Sequence, residues 1–305
     1  MKQKNFLSLE DFEKSEIEEL IKLSFKYKKD RRKLKILKGK TVALVFQKPS
    51  IRTRVTFEVG IHRLGGVSIC LGHQEVQLGK RETVPDIARV LSRYVNGIIA
   101  RTFSHEILLQ MAEYSSVPVI NALSDLLHPC QILADLMTIQ EKLGQLKNIN
   151  LVYVGDGNNI ANTWLIGGAK MNLNITIVTP PAYKPDQEIL AYAKEISKGA
   201  STVKLCEVPE EVISEADVLY TDVWTSMGQE KETEERKKAF SGFQLSQDLV
   251  KLAKKDVLIM HCLPAHRGEE ITDEVIESKN SIVFDQAENR LYTGEAILTY
   301  LLQDK

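Results

Sequence analysis

The sequence predicts an α/β protein of two doubly wound domains, each a parallel β-sheet flanked by helices, with the C-terminal helix returning to the first domain. Three observations lead there. At 305 residues the chain is too long for one compact core and suits two. Short apolar runs alternate with helical stretches over most of its length, the pattern of βα units whose parallel sheet is covered on both faces. The stretches richest in small and polar residues follow the apolar runs, beyond the carboxyl ends of strands, where open α/β sheets hold ligands.

Taken in order, Ser8, Leu9, Glu10 and Asp11 have the form of a capping box opening a first helix that ends in a lysine-rich region. Residues 41–45 read as a buried strand. Residues 55–64, apolar at 55, 57, 59, 61 and 64, read as a mostly buried helix. Strands are expected at 67–71, 97–100 and 117–122, and helices at 85–95, 106–114 and 128–143. A second series places strands at 151–154, 175–178, 203–206, 218–220, 257–260 and 282–284. Its helical stretches fall near 160–171, 187–197, 208–215, 245–254, 273–278 and 294–303. The domains are expected at 1–145 and 146–290, with 291–305 as the returning helix.

Composition narrows the function. Hydrophobic content of 43% and a charged fraction of 27% are ordinary for a globular protein. The net charge of −1 conceals a basic run from Lys22 to Lys40, ten basic residues against Asp30 alone. Such a run can serve nucleic acid or an anionic membrane, but Ile17, Leu20, Ile21 and Phe25 recur beside it at helical spacing and no aromatic platform interleaves the lysines, which favours a solvated helix face. The first residues lack an apolar leader and no run approaches ~18 apolar residues, so a cytoplasmic location is expected. Cys70, Cys130, Cys206 and Cys262 form no Cys-x-x-Cys pair, which argues for reduced thiols.

The chemistry concentrates in five places. After the first strand, residues 46–54 read Phe-Gln-Lys-Pro-Ser-Ile-Arg-Thr-Arg. Ser50 to Thr53 therefore sit at a helix N-terminus, where unpaired N–H groups and the positive end of the helix dipole meet the cations Lys48, Arg52 and Arg54: an anion socket suited to phosphate. Arg101 ends the strand 97–100 and can converge on the same anion with a two-pronged guanidinium. His128, Pro129, Cys130 and Gln131 open the next long helix, placing His128 and Gln131 on one face as a clamp for a developing oxyanion. Gly155-Asp156-Gly157-Asn158-Asn159 lacks the third glycine and the later acid of a dinucleotide fingerprint, so a nicotinamide cofactor is rejected in favour of groups for an amino-acid carboxylate or ammonium. Asp222, followed by Ser226, Met227 and Gly228, ends another strand with a carboxylate for an ammonium and a segment able to close over a ligand. His261-Cys262-Leu263-Pro264 ends the next. Cys262 is either a nucleophile or, better matched to a phosphate socket, a polar group beside an amine, and a metal held by His261, His266 and Glu269 fits none of the helical zinc signatures.

With these motifs in this order, and Glu288-Asn289-Arg290 near the end, the chain resembles the ornithine carbamoyltransferases over nearly its whole length. The resemblance implies carbamoyl phosphate held by Ser50, Ile51, Arg52, Thr53, Arg101, His128, Gln131 and Arg290, with Gln77 on a loop that the family lends to a neighbouring subunit. It implies ornithine bound by Asn159, Asp222, Ser226, Met227, Cys262 and Leu263. Arg101, His128, Gln131, Cys262 and Asp222 are the expected catalytic set, with no metal and no organic cofactor. Homotrimers or multiples of trimers are implied; nucleic acid and membrane are not. Ile51 stands where the family commonly has threonine, and branches acting on acylated ornithine vary there, so the alternative is transfer to a related amine such as putrescine or an N-acylated ornithine.

Overall fold

A computed structural model describes residues 5–30, 34–79, 81–226 and 228–303. The chain divides into two compact units, Met1–Met137 with Glu288–Lys305, and Thr138–Ala287. In the first, β1 (Thr41–Phe46), β2 (Val67–Leu71), β3 (Gly97–Arg101) and β4 (Val119–Leu123) form a parallel sheet in the order β2-β1-β3-β4. In the second, β5 (Asn150–Val154), β6 (Asn174–Val178), β7 (Val203–Cys206), β8 (Val218–Thr221) and β9 (Leu258–His261) form a parallel sheet in the order β7-β6-β5-β8-β9. Two parallel sheets flanked by helices is the architecture expected. The central strands are buried throughout, β3 at every residue and β1 from Val42 onward.

The first unit carries helices α1 (Lys14–Lys29), α2 (Ile51–Arg63), α3 (His73–Val76), α4 (Val84–Tyr94) and α5 (His105–Tyr114). Helix α6 (Pro129–Leu143) runs from the first unit into the second. The second unit carries α7 (Asn159–Lys170), α8 (Gln187–Ile196), α9 (Thr233–Ala239), α10 (Gln247–Val250) and α11 (Asp273–Ile276). Helix α12 (Val283–Leu302) leads back into the first unit. There it is fastened by Tyr27 to Thr299, whose hydroxyls lie 2.8 Å apart, by Lys28 Nζ donating to Asn289 Oδ1 at 2.9 Å, and by Lys40 Nζ donating to the Leu302 carbonyl. Part of the basic run thus holds the returning helix.

Five local expectations are corrected. The capping box at Ser8 and Asp11 exists, but it closes only a 3-10 turn, Leu9–Asp11, and α1 begins afresh at Lys14 under Glu13. Helix α2 is not mostly buried: Thr53, Phe57, Gly60 and Ile61 face inward, while Ile51, Val55 and Val59 lie on a second, exposed stripe four residues apart, Ile51 at 82% exposure. Residues 208–215 form two 3-10 turns rather than a helix, since only Pro209 and Ile213 are buried there. Residues 245–254 hold one helical turn, α10. Ile282, Val283 and Phe284 are not a strand. A single bridge pairs Ser281 with Ile259, and then α12 begins, three turns earlier than expected, because three apolar residues alone cannot separate strand from helix.

Inside the first unit, Glu295 on α12 is 2% exposed, with Oε1 3.0 Å from Arg63 Nε. Burial raises its pKa to about 7, against the pull of Arg63. An acid raised on folding takes up protons with the fold, so the stability tied to it is complete below the ordinary value near 4.5 and lost as pH rises through about 7. The thermal midpoint of Glu295→Gln minus that of the unaltered protein is therefore expected to increase between pH 5 and 8. A difference that stays flat over this range removes the assignment.

Candidate active site

The first unit holds the residues expected to bind an anion. Ser50 caps α2, its Oγ accepting from the Thr53 N–H at 3.2 Å, so the helix starts where the sequence places it. Thr53 is fully buried and its Oγ1 accepts from Arg290 Nη2 at 3.0 Å, which fastens the C-terminal helix to the socket. Lys48 is buried with its ammonium 4.6 Å from the Phe103 ring centroid. Arg54 is different: it is exposed and its Nε pairs with Glu58 Oε1 at 3.0 Å one turn on, so it neutralises a neighbour instead of feeding the socket.

Arg101 closes β3 at 7% exposure, and His128 precedes α6 at 5%. The His128 pKa lies well below its ordinary 6.5, first through burial and then through repulsion from Arg290, Arg101 and Arg52. Four of the expected residues thus share one electrostatic neighbourhood, and the imidazole is neutral at neutral pH. Gln131 is buried on the first turn of α6; its Nε2 donates to Asp135 Oδ1 at 2.8 Å while its Oε1 meets no hydrogen-bond partner among the described residues. It therefore offers an acceptor as well as a donor. Cys130 is inert, donating to the Asn121 carbonyl at 3.2 Å with its thiol pushed by burial to about 12. Gln77 lies away from this cluster in sequence, in a left-handed conformation (φ 42°) after α3, with Nε2 donating to the Gln74 carbonyl at 3.4 Å.

In the second unit a cluster gathers around Asp222, which follows β8 at 5% exposure. Its Oδ2 accepts from Asn158 Nδ2 at 2.9 Å, and its Oδ1 from the Val223 N–H at 2.8 Å and the Cys262 thiol at 2.9 Å. Cys262 is thereby a hydrogen-bond donor held on a carboxyl, which favours the polar role over the nucleophile. The loop after β9 is shaped by the fully buried pair His261 Nε2 and Glu270 Oε1 at 2.9 Å, while His261 Nδ1 accepts from the Leu263 N–H at 2.8 Å. A metal on His261 has no free ring nitrogen to use. Leu263 itself has positive φ (57°).

Asn158, read in the sequence only as one of the polar groups at a helix start, is the residue that reaches Asp222; its Oδ1 also caps α7 through Ile160 and Ala161. Asn159 stands beside it as the first residue of the helix, half-buried. The signal was an Asn-Asn pair at a helix start, whose first member is the natural cap. Gly157 explains the glycine pattern that resembles a nucleotide loop: a Cβ there would lie 2.3 Å from Pro185 N and 2.5 Å from the Tyr183 carbonyl oxygen. The backbone of 183–185 occupies the space. Ser226 is half-buried, with its N–H donating to Gln229 Oε1 at 3.1 Å, and Met227 lies outside the described residues.

An anion socket lined by arginines with a neutral histidine in the first unit, and a braced carboxyl and thiol in the second, are groups that a group-transfer enzyme of the carbamoyl-transfer kind would use. The carbamoyl-P binding domain of aspartate/ornithine carbamoyltransferases matches residues 4–141 and their Asp/Orn binding domain matches residues 147–301; the chain belongs to this family. Within it, the chain is 50% identical to the ornithine carbamoyltransferase of Thermococcus kodakarensis over 98% of this chain and 96% of that one, and 51% identical to that of Archaeoglobus fulgidus over 98% and 97%. The solved ornithine carbamoyltransferase of Pyrococcus furiosus superposes with a TM-score of 0.95 at 48% identity, covering 98% of this chain and 97% of that one.

Proposed function

We propose that the protein transfers the carbamoyl group of carbamoyl phosphate to the δ-amine of L-ornithine, giving L-citrulline and phosphate in arginine biosynthesis. The observation that carries this reading is full-length identity near 50% to ornithine carbamoyltransferases together with the braced Asp222–Cys262 pair.

In this reading the N-terminus of α2, with Ser50, Ile51, Arg52 and Thr53, binds the phosphate. Ile51 serves through its backbone N–H, consistent with a side chain that points to solvent. Arg101 and neutral His128 direct donors at the carbonyl oxygen, and Arg290 reinforces the anion site. Gln131 Oε1 suits the amide N–H of the carbamoyl group. Asp222, with Asn159, Ser226, Met227, Cys262 and Leu263, holds ornithine. The neutral δ-amine attacks the carbonyl carbon; the new C–N bond forms, the C–O bond to phosphate breaks, and the amine proton leaves with the phosphate. Stabilising the oxyanion and holding two substrates together supply the acceleration, with no cofactor required.

Residues 1–145 bind carbamoyl phosphate and 146–290 ornithine, with 291–305 returning to the first domain. The exposed stripe of Ile51, Val55 and Val59 beside Val67 and Ile69 on the edge strand β2 supports a face between copies, as in a trimer or a multiple of trimers with Gln77 reaching a neighbouring site. Among the described residues no helix is long and apolar enough to cross a membrane, and the reading places the enzyme in the cytoplasm.

The test is ureido-product formation from carbamoyl phosphate by the purified protein, with ornithine, acetylornithine, putrescine and aspartate as parallel acceptors. Product with ornithine alone is expected. Preference for another amine overturns the ornithine half of the reading and keeps the phosphate half.

A further inference from the structure

We infer that Arg236 is a positioning residue for the amine substrate, pinning the segment that carries Ser226 to the turn that carries Asn158; this rests on the ornithine reading above. The sequence gives little hint of it. Arg236 lies in a charged run whose other members Glu232, Glu234, Glu235, Lys237 and Lys238 are all exposed, yet it is itself 6% exposed.

A guanidinium is costly to bury among aromatic rings unless its donors are matched. Here they are. Nη1 donates to Asp156 Oδ2 and to the Trp224 carbonyl, both at 2.9 Å, and Nε donates to Glu232 Oε2 at 2.9 Å. The guanidinium carbon sits 4.8 Å from the Tyr183 ring centroid, and Phe240 packs against both Tyr183 and Trp224, with centroids 4.8 and 5.7 Å apart.

What this side chain joins gives it a function. Asp156 lies two residues before Asn158, which donates to Asp222; Trp224 lies two residues after Asp222 and two before Ser226. One guanidinium therefore ties the segment that follows Asp222 to the turn that carries Asn158, the partner of Asp222. A lysine replaces it only in part, because a single ammonium on a flexible stem can stand in for Nη1 but cannot also hold Glu232 as Nε does.

The test compares Arg236→Gln, Arg236→Lys and Asp156→Asn in steady-state assays, with thermal midpoints recorded for each. For Arg236→Gln the KM for ornithine is expected to rise about tenfold or more while the KM for carbamoyl phosphate stays within about twofold, since small misplacements of a binding group act on its own substrate. Arg236→Lys falls between. If Arg236→Gln fails to fold, Asp156→Asn decides, because it keeps the shape and removes only the charge that Arg236 holds. A folded variant with an unchanged ornithine KM, or one in which both KM values move together, overturns the inference and leaves the ornithine reading intact. An unaltered enzyme that does not carbamoylate ornithine removes both.

Discussion

Arg52→Ala is expected to lower kcat/KM for carbamoyl phosphate by roughly 10²–10³, the loss associated with removing one preorganised charge-stabilising group. Arg52 is the second residue of α2, on the turn whose free N–H groups and dipole already favour an anion, and its field reaches His128. In the proposed reading, removing it takes away a cation from the leaving phosphate; it also removes part of the repulsion that keeps the imidazole uncharged. Burial is the larger cause of that lowered pKa, and Arg290 and Arg101 remain, so His128 stays neutral at pH 7 and the loss falls on phosphate stabilisation. Arg52→Lys should recover only part of the activity, because an ammonium lacks the two-pronged geometry. Steady-state kinetics with carbamoyl phosphate varied check this; full activity in Arg52→Ala would contradict the assignment.

For Asp222→Ala the expected loss is of similar size but falls on the other substrate: kcat/KM for ornithine drops by roughly 10²–10³, as for a buried charge pair deprived of one partner. The substitution strips the acceptor from Asn158 Nδ2, the Val223 N–H and the Cys262 thiol at once. Asn158 keeps its bonds to Ile160 and Ala161, so α7 retains its cap. Asp222→Asn separates charge from shape: it preserves side-chain volume and removes the charge that an ammonium needs. An unchanged dependence of rate on ornithine concentration in both variants ends the role given to Asp222.

The two clusters differ in how far the sequence revealed them. The anion socket is local: Ser50 caps the helix that Thr53 and Arg52 begin, and the cap is a relation between residues three apart. The Asp222 cluster is assembled from the ends of β5, β8 and β9, so Asp222 was recognisable from its motif while its pairing with Asn158, 64 residues away in sequence, was not. The same distance explains Arg54 and Arg236, two arginines in charged surroundings, of which one pairs with Glu58 on its own helix face and the other reaches Asp156 80 residues away.

The sequence by itself determined the alternation of strand and helix, the helix start at Ser50 and the order of the motifs, because periodicity, caps and turn residues act over a few positions. Only the tertiary structure decided which face of α2 is buried, that α12 begins at Val283 and not as a strand, that Cys262 donates to Asp222, and that one arginine of a charged run belongs to the core. Each of these depends on partners brought from distant elements, where burial makes an unmatched polar group costly and so selects the pairing.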